Sequence, residues 1–169
     1  MTAGKQKRLW FAAALYACIM LYLLLGRSPV VADAPYFQQL PQHLNMHPFD
    51  TIRRYFWGLS RVKDPQLLRW AFVNLFGNII LFAPLGFFLP SIWKIFRRLW
   101  RTLLAAAGIM ALIELLQMLL LVGACDIDDI ILNTFGASFG YGVYRLYVRK
   151  NPKVQEEALS PAQNTDAES

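Results

Sequence analysis

Between Glu114 and Gly142 two long apolar segments flank a tight turn that holds Asp126, Asp128 and Asp129 and no basic residue. Each segment also carries groups that lipid rejects: Glu114 and Gln117 before the turn, Asn133 after it. An ionisable side chain inside a bilayer costs several kcal/mol or more, so it marks a functional position and needs partners on neighbouring segments. The stretch therefore calls for a helix bundle in which the rest of the chain brings polar groups to the same place.

The remaining sequence fits that demand. Of 169 residues, 56% are apolar and the mean hydropathy is +0.35, too apolar for a soluble domain of this size. After Lys5, Lys7 and Arg8, residues 9–25 form an unbroken apolar run. It is longer than a usual signal-peptide core, so we read a retained transmembrane helix rather than a leader cleaved near Ala32-Asp33-Ala34. Asp64-Pro65 pairs an N-cap with proline at the first helical position and opens a second helix, 65–89. Pro84 should kink it and Pro90 end it. A third helix covers 99–122 with Gly123 as its cap, and a fourth covers 128–148. The expected fold is all-α: a polytopic membrane bundle of four transmembrane helices in a single domain, 1–148, with a polar and disordered cytoplasmic tail, 149–169. Within the outer loop, 26–64, Phe49 to Trp57 mixes aromatic and basic residues and suits a short amphipathic helix in the headgroup layer.

The placement of charge sets orientation. The formal charge is +6, but the bases sit in short runs beside apolar segments, which speaks for topology and against nucleic-acid binding. Lys94, Arg97, Arg98 and Arg101, with Arg149, Lys150 and Lys153, join the N-terminal bases and put both termini in the cytoplasm. The 123–129 turn then faces outward. Arg53, Arg54, Arg61, Lys63 and Arg69 fall on the outer side against the rule, which suggests that Arg53 or Arg54 neutralises the acidic turn. Cys18 and Cys125 read as free thiols, and His43 and His47 alone make no zinc site.

On a helical wheel Asp126, Asp129, Asn133, Gly136 and Gly140 fall within about 80°, with Asp128 some 100° from Asp129. The stripe descends from carboxylates through an amide to a Gly-x-x-x-Gly pair, which permits close helix approach. Glu114 and Gln117 share a face one turn apart, as do Asn74 and Asn78. By rise per residue, Glu114 lies about 13 Å below Gly123, and Asn133 about 10 Å below Asp126. Three helices thus deliver amide and carboxyl groups to one level. On this reading Asp129→Asn should abolish function, whereas Asp128→Asn should be mild.

These residues resemble the VanZ-like family of bacterial membrane proteins. The matching pieces are Asn45-Met46-His47-Pro48-Phe49-Asp50-Thr51-Ile52, Asn74 to Asn78, Phe82 to Phe87, Glu114 to Gln117, and Asp126 to Gly136, covering about residues 45–148. Members of the family often carry an arginine just before the acidic run, where this chain has Val122-Gly123-Ala124-Cys125. The resemblance implies a multi-pass protein of the bacterial cell membrane, in a family named for a link to resistance against the glycopeptide teicoplanin. It supplies no biochemical mechanism.

Three functions compete. The first is a non-enzymatic protein whose outward-facing polar pocket binds an envelope amphiphile, either a membrane lipid or a lipid-linked precursor, and alters glycopeptide susceptibility. Its ligand-binding candidates are Asn74, Asn78, Glu114, Gln117, Asp126, Asp129, Asn133, Arg53 and Arg54. The second is an enzyme in which Asp126 and Asp129, helped by Asn133, hold Mg²⁺ or Mn²⁺ against a lipid-linked phosphate. The third is a small proton-coupled transporter using Glu114, in which four helices would need to form a homo-oligomer.

Overall fold

The computed structural model describes residues 3–26, 35–61 and 65–151. The possible cleavage site, the cap at Asp64 and the tail beyond Asn151 lie outside these residues. The fold is helical: α1 (Ala3–Leu25), α2 (Tyr36–Gln39), α3 (Asp50–Arg61), α4 (Pro65–Ile92), α5 (Leu99–Leu119) and α6 (Ile127–Lys150). Short 3₁₀ turns span Leu40–His43 and Lys94–Arg97. A parallel pair of two-residue strands, β1 (Leu44–Asn45) and β2 (Cys125–Asp126), sets Leu44 against Cys125 and Asn45 against Asp126. That pair joins two loops 81 residues apart, and helix-by-helix reading of the sequence has no means of anticipating it.

Gly4–Leu25, Phe72–Ile92 and Leu99–Leu119 are long and apolar enough to cross a membrane. With 24 residues α6 matches them in length, but Asp128, Asp129, Arg145, Arg149 and Lys150 lower its hydropathy. It nevertheless packs tightly in the bundle, chiefly against α4 and then α5, and α1 in turn packs on α4 and α5. Gly136 and Gly140 face α4 so closely that a Cβ built on Gly140 would stand 1.7 Å from the Ala83 carbonyl oxygen, and one on Gly136 would stand 2.3 Å from that of Ile79. Gly86 answers from α4, its own Cβ position falling 1.8 Å from the Ala137 carbonyl oxygen. The Gly-x-x-x-Gly pair is thus half of a two-sided seam in which backbone meets backbone. Behind it, Met20 and Leu24 of α1, Phe82 of α4, and Met110 and Ile113 of α5 form a buried apolar cluster.

Two helix ends depart from expectation. Proline does not stop α4 at Leu89, because the helix runs on to Ile92. Hydroxyls donate to carbonyls near both prolines, Tyr16 to Leu81 at 2.7 Å and Ser91 to Phe87 at 2.6 Å. The carbonyls that lose a helical partner are those of Ile80 and Gly86, and packing of neighbouring helices around them is what lets proline persist inside an apolar helix. In turn α5 stops at Leu119, short of Val122, and Gly123 is not its cap. Leu121 takes the left-handed conformation (φ 53°). Val122 N–H then donates to the Gln117 carbonyl and Leu121 N–H to that of Met118, the paired bonds of a Schellman close.

The bundle has two chemically distinct ends. Trp10 of α1 meets Trp93 edge-on at 5.2 Å, and Tyr141 Oη donates to the Arg97 carbonyl at 2.6 Å. The basic N-terminal residues, the 94–101 segment and the basic end of α6 therefore share one end. At the opposite end lie the acidic turn and the loop before α3.

Candidate functional site

Helix α3 begins at Asp50 and is preceded by Phe49, whose side chain cannot accept a hydrogen bond. The first backbone N–H groups of any helix lack partners within it and need an acceptor from elsewhere. Here the acceptor comes from 77 residues on: one Asp128 oxygen takes the N–H of Thr51 at 2.8 Å and of Ile52 at 3.0 Å, and the other takes that of Phe49. Phe49 presents its N–H by adopting φ 67°, a conformation that costs a non-glycine residue about 1 kcal/mol or more. Asp128 is fully buried. The wheel placed it off the Asp129 stripe; its direction is that of α3, and its three bonds there argue for a large effect of its loss where the sequence alone suggests a mild one.

Asp126 does the complementary job for α6. It precedes that helix as its N-cap, so it does not belong on the wheel, and its Oδ1 accepts the Asp128 N–H at 2.9 Å. Its Oδ2 accepts from the Thr51 hydroxyl at 2.6 Å and the Asn45 amide at 3.1 Å. Asn45 also donates to Thr51 Oγ1 at 3.1 Å. From below, the fully buried Glu114 of α5 accepts the Asp126 N–H through Oε2 at 2.8 Å. The third aspartate, Asp129, accepts from Asn78 of α4 at 2.6 Å. Three aspartates within four positions thus bind β1, α3, α4 and the start of α6, and four helices, α3 to α6, converge on one turn. His43 adds a contact to the Gly123 carbonyl at 3.0 Å, and Tyr36 Oη donates to that of Leu119 at 2.6 Å.

Asp129 is thus paired with Asn78, and Glu114 with the backbone of Asp126, while Asn74 lies half-buried one turn before Asn78 on α4. The other candidates go elsewhere. Gln117 donates to the carbonyl of Leu24 at 2.8 Å, closing the C-terminal end of α1. Asn133 is fully buried and its amide donates to the Met110 sulfur at 3.1 Å, an interhelical tie. Arg53 and Arg54 turn to Asp50, one turn earlier on their own helix, at 3.2 and 2.6 Å; the expectation that one of them neutralises the acidic turn is corrected. The two guanidinium groups hold the Asp50 carboxyl below its usual range, Arg54 most of all. They win because i,i+3 and i,i+4 spacing brings opposite charges together at no cost in chain closure.

Two features bear on chemistry. Among the described residues no three His, Cys, Asp or Glu side chains are grouped to hold a metal ion. The oxygens of Asp126 and Asp128 already accept hydrogen bonds from fixed donors, so these carboxylates act as caps. A depression of about 280 Å³, lined by His47, Pro48, Phe49, Asp50 and Arg53, opens beside the start of α3. Asn45, Thr51 and Asp128 are the members of this site that sequence reasoning missed as functional positions. The first two lie in the motif Asn45 to Ile52, whose density of turn and cap residues was the available signal.

Cys125 stands next to this network. Burial, with Glu114 and Asp126 nearby, pushes its thiol above the ordinary range. Since the thiolate is the reactive form, Cys125 should alkylate more slowly than a free cysteine at about pH 8 and catch up only as pH rises. Pulsed alkylation read by mass spectrometry checks this, and a rate equal to that of a free cysteine at about pH 8 would contradict it.

Comparison with known proteins agrees with the residue pattern. The VanZ/LLP1 family profile matches residues 13–148, while no curated protein and no solved structure matches the chain. The match spans most of the sequence, and the chain belongs to the VanZ/LLP1 family.

Proposed function

We propose that this member of the VanZ/LLP1 family is a multi-pass protein of the bacterial cell membrane that binds an envelope amphiphile at its outer end and alters susceptibility to teicoplanin-type glycopeptides. In this reading α6 is the fourth span, both termini are cytoplasmic, and the acidic turn faces outward. The separation of a basic end from an acidic end supports that orientation. The observation that carries the proposal is the cap from Asp128: it fixes α3 at the outer end with Phe56, Trp57, Arg53 and Arg54 exposed. Aromatic and cationic side chains on one short helix suit the headgroup layer, where ring and charge each meet their preferred surroundings. The amphiphile is therefore met on the surface of α3, and the buried carboxylates serve as the frame that holds it.

The alternatives receive less support. A divalent-cation enzyme needs open carboxylate oxygens, and those of Asp126 are engaged by Asp128, Thr51 and Asn45. A proton-coupled transporter needs Glu114 to change partners, yet one of its oxygens braces the backbone of the turn. The test is expression in a teicoplanin-susceptible bacterium, with an Ala124→Cys or an Arg98→Cys variant labelled from outside intact cells. A raised inhibitory concentration for teicoplanin, with labelling at 124 and protection at 98, is expected. Unchanged susceptibility would overturn the functional reading, and reversed labelling the topology.

A further inference from the structure

Resting on the amphiphile reading, we infer that the group recognised by α3 is the phosphate of a membrane lipid, held by Arg53 and Arg54. Both side chains are largely exposed, at 74% and 73%. Each spends one terminal nitrogen on Asp50, Arg53 on its Oδ1 and Arg54 on its Oδ2. A guanidinium has five N–H donors in a rigid fork, so each of these exposed arginines retains donors beyond those that Asp50 takes. Two forks on adjacent residues, steadied by one shared carboxylate, match the several acceptor oxygens of a phosphate better than they match a single carbonyl or hydroxyl. Asp50 neutralises only one of the two charges, leaving a net positive patch.

The surroundings favour a phosphate attached to a hydrocarbon chain. Phe49, Phe56 and Trp57 are exposed at 60%, 61% and 57%. Phe56 and Trp57 follow Arg53 by one helical turn and so share its flank. On the inner side Ile52 packs against Leu75 and Leu132, which fixes the rotation of α3 and keeps Arg53 and Arg54 outward. The depression lined by His47, Pro48, Phe49, Asp50 and Arg53 lies at the same flank, giving a headgroup a recess bordered by a cation and an aromatic ring.

The full chain in dodecyl maltoside micelles, doped separately with dodecyl phosphate, dodecanol and inorganic phosphate, tests this by native mass spectrometry. Dodecyl phosphate should bind saturably, and R53Q/R54Q should weaken it about tenfold or more while leaving thermal stability unchanged. Dodecanol and inorganic phosphate should each bind the wild-type chain about tenfold more weakly than dodecyl phosphate. Equal binding of dodecanol and dodecyl phosphate, insensitive to R53Q/R54Q, would overturn the phosphate inference while the amphiphile reading stands. Inorganic phosphate binding as tightly as dodecyl phosphate would overturn the lipid source. Binding of none of the three would overturn both the inference and the reading beneath it.

Discussion

Replacing Gly140 by leucine should leave little folded protein in the membrane. The Cβ of any side chain there would stand 1.7 Å from the Ala83 carbonyl oxygen and 3.0 Å from the Phe87 nitrogen. Both obstacles are backbone, so no rotamer change in a neighbour can relieve them. Separating α4 from α6 would also open the seam at Gly86 and Gly136, which meets the same limit from either side. Overpacking of a core costs about 1–3 kcal/mol even when side chains can adjust, and here they cannot. Gly142, on the same helix, has nothing within 4 Å of its Cβ position. Gly142→Leu is therefore the control: thermal stability in detergent should stay near wild type there and collapse for Gly140→Leu. Equal stability of the two variants would contradict the seam.

The second large effect is at Asp128. Asparagine keeps the shape but replaces one acceptor oxygen by an NH₂ group, which would face backbone donors. Of the three bonds to Phe49, Thr51 and Ile52, those made by the replaced oxygen are lost outright. Hydrogen bonds to a charged acceptor contribute about 1.5–3 kcal/mol each, and an orphaned buried donor adds its own desolvation penalty. We expect Asp128→Asn to cost about 3 kcal/mol or more by the same figures, and to release the start of α3 together with the strained turn at Phe49. Asp50→Asn should do little, because its two partners are exposed guanidinium groups on the same helix, and ion pairs screened by solvent on one side contribute little. Thermal unfolding of both variants at equal expression separates them, and a mild Asp128→Asn would contradict the cap.

Much of the bundle was legible because local rules govern it. Apolar runs located α1, α4 and α5, Pro65 marked where α4 begins, and the glycine stripe of α6 pointed to a close helix contact. The polar stripe was legible in part: Asp129 meets Asn78, and Glu114 reaches the acidic turn. What escaped is what depends on partners distant in sequence. Phe49 cannot cap its own helix, but nothing local says that Asp128 supplies the missing acceptor. Gly123 looks like a helix cap, yet a Cβ there would lie 3.3 Å from Gln117 Cβ, so packing against that side chain is its local constraint, while Leu121 takes the left-handed position. Arg53 and Arg54 were legible in principle, since Asp50 stands at the i,i+3 and i,i+4 positions, but the absence of a base in the acidic turn drew them wrongly across the structure. In that turn the carboxylates of Asp126 and Asp128 are instead met by amides and hydroxyls, which need no countercharge nearby.

The central claim is that the acidic turn holds α3 in place by capping it from a distance. Amide hydrogen exchange at Thr51 and Ile52 measures this directly, because these are two of the backbone groups that Asp128 accepts from. In the wild-type chain both amides should be protected well beyond the exposed positions of α3, and in Asp128→Asn that protection should vanish while Ala106 and Met110 in α5 exchange as before. Unchanged protection at Thr51 and Ile52 in the variant would mean that α3 is held by something other than Asp128, and the account would fail.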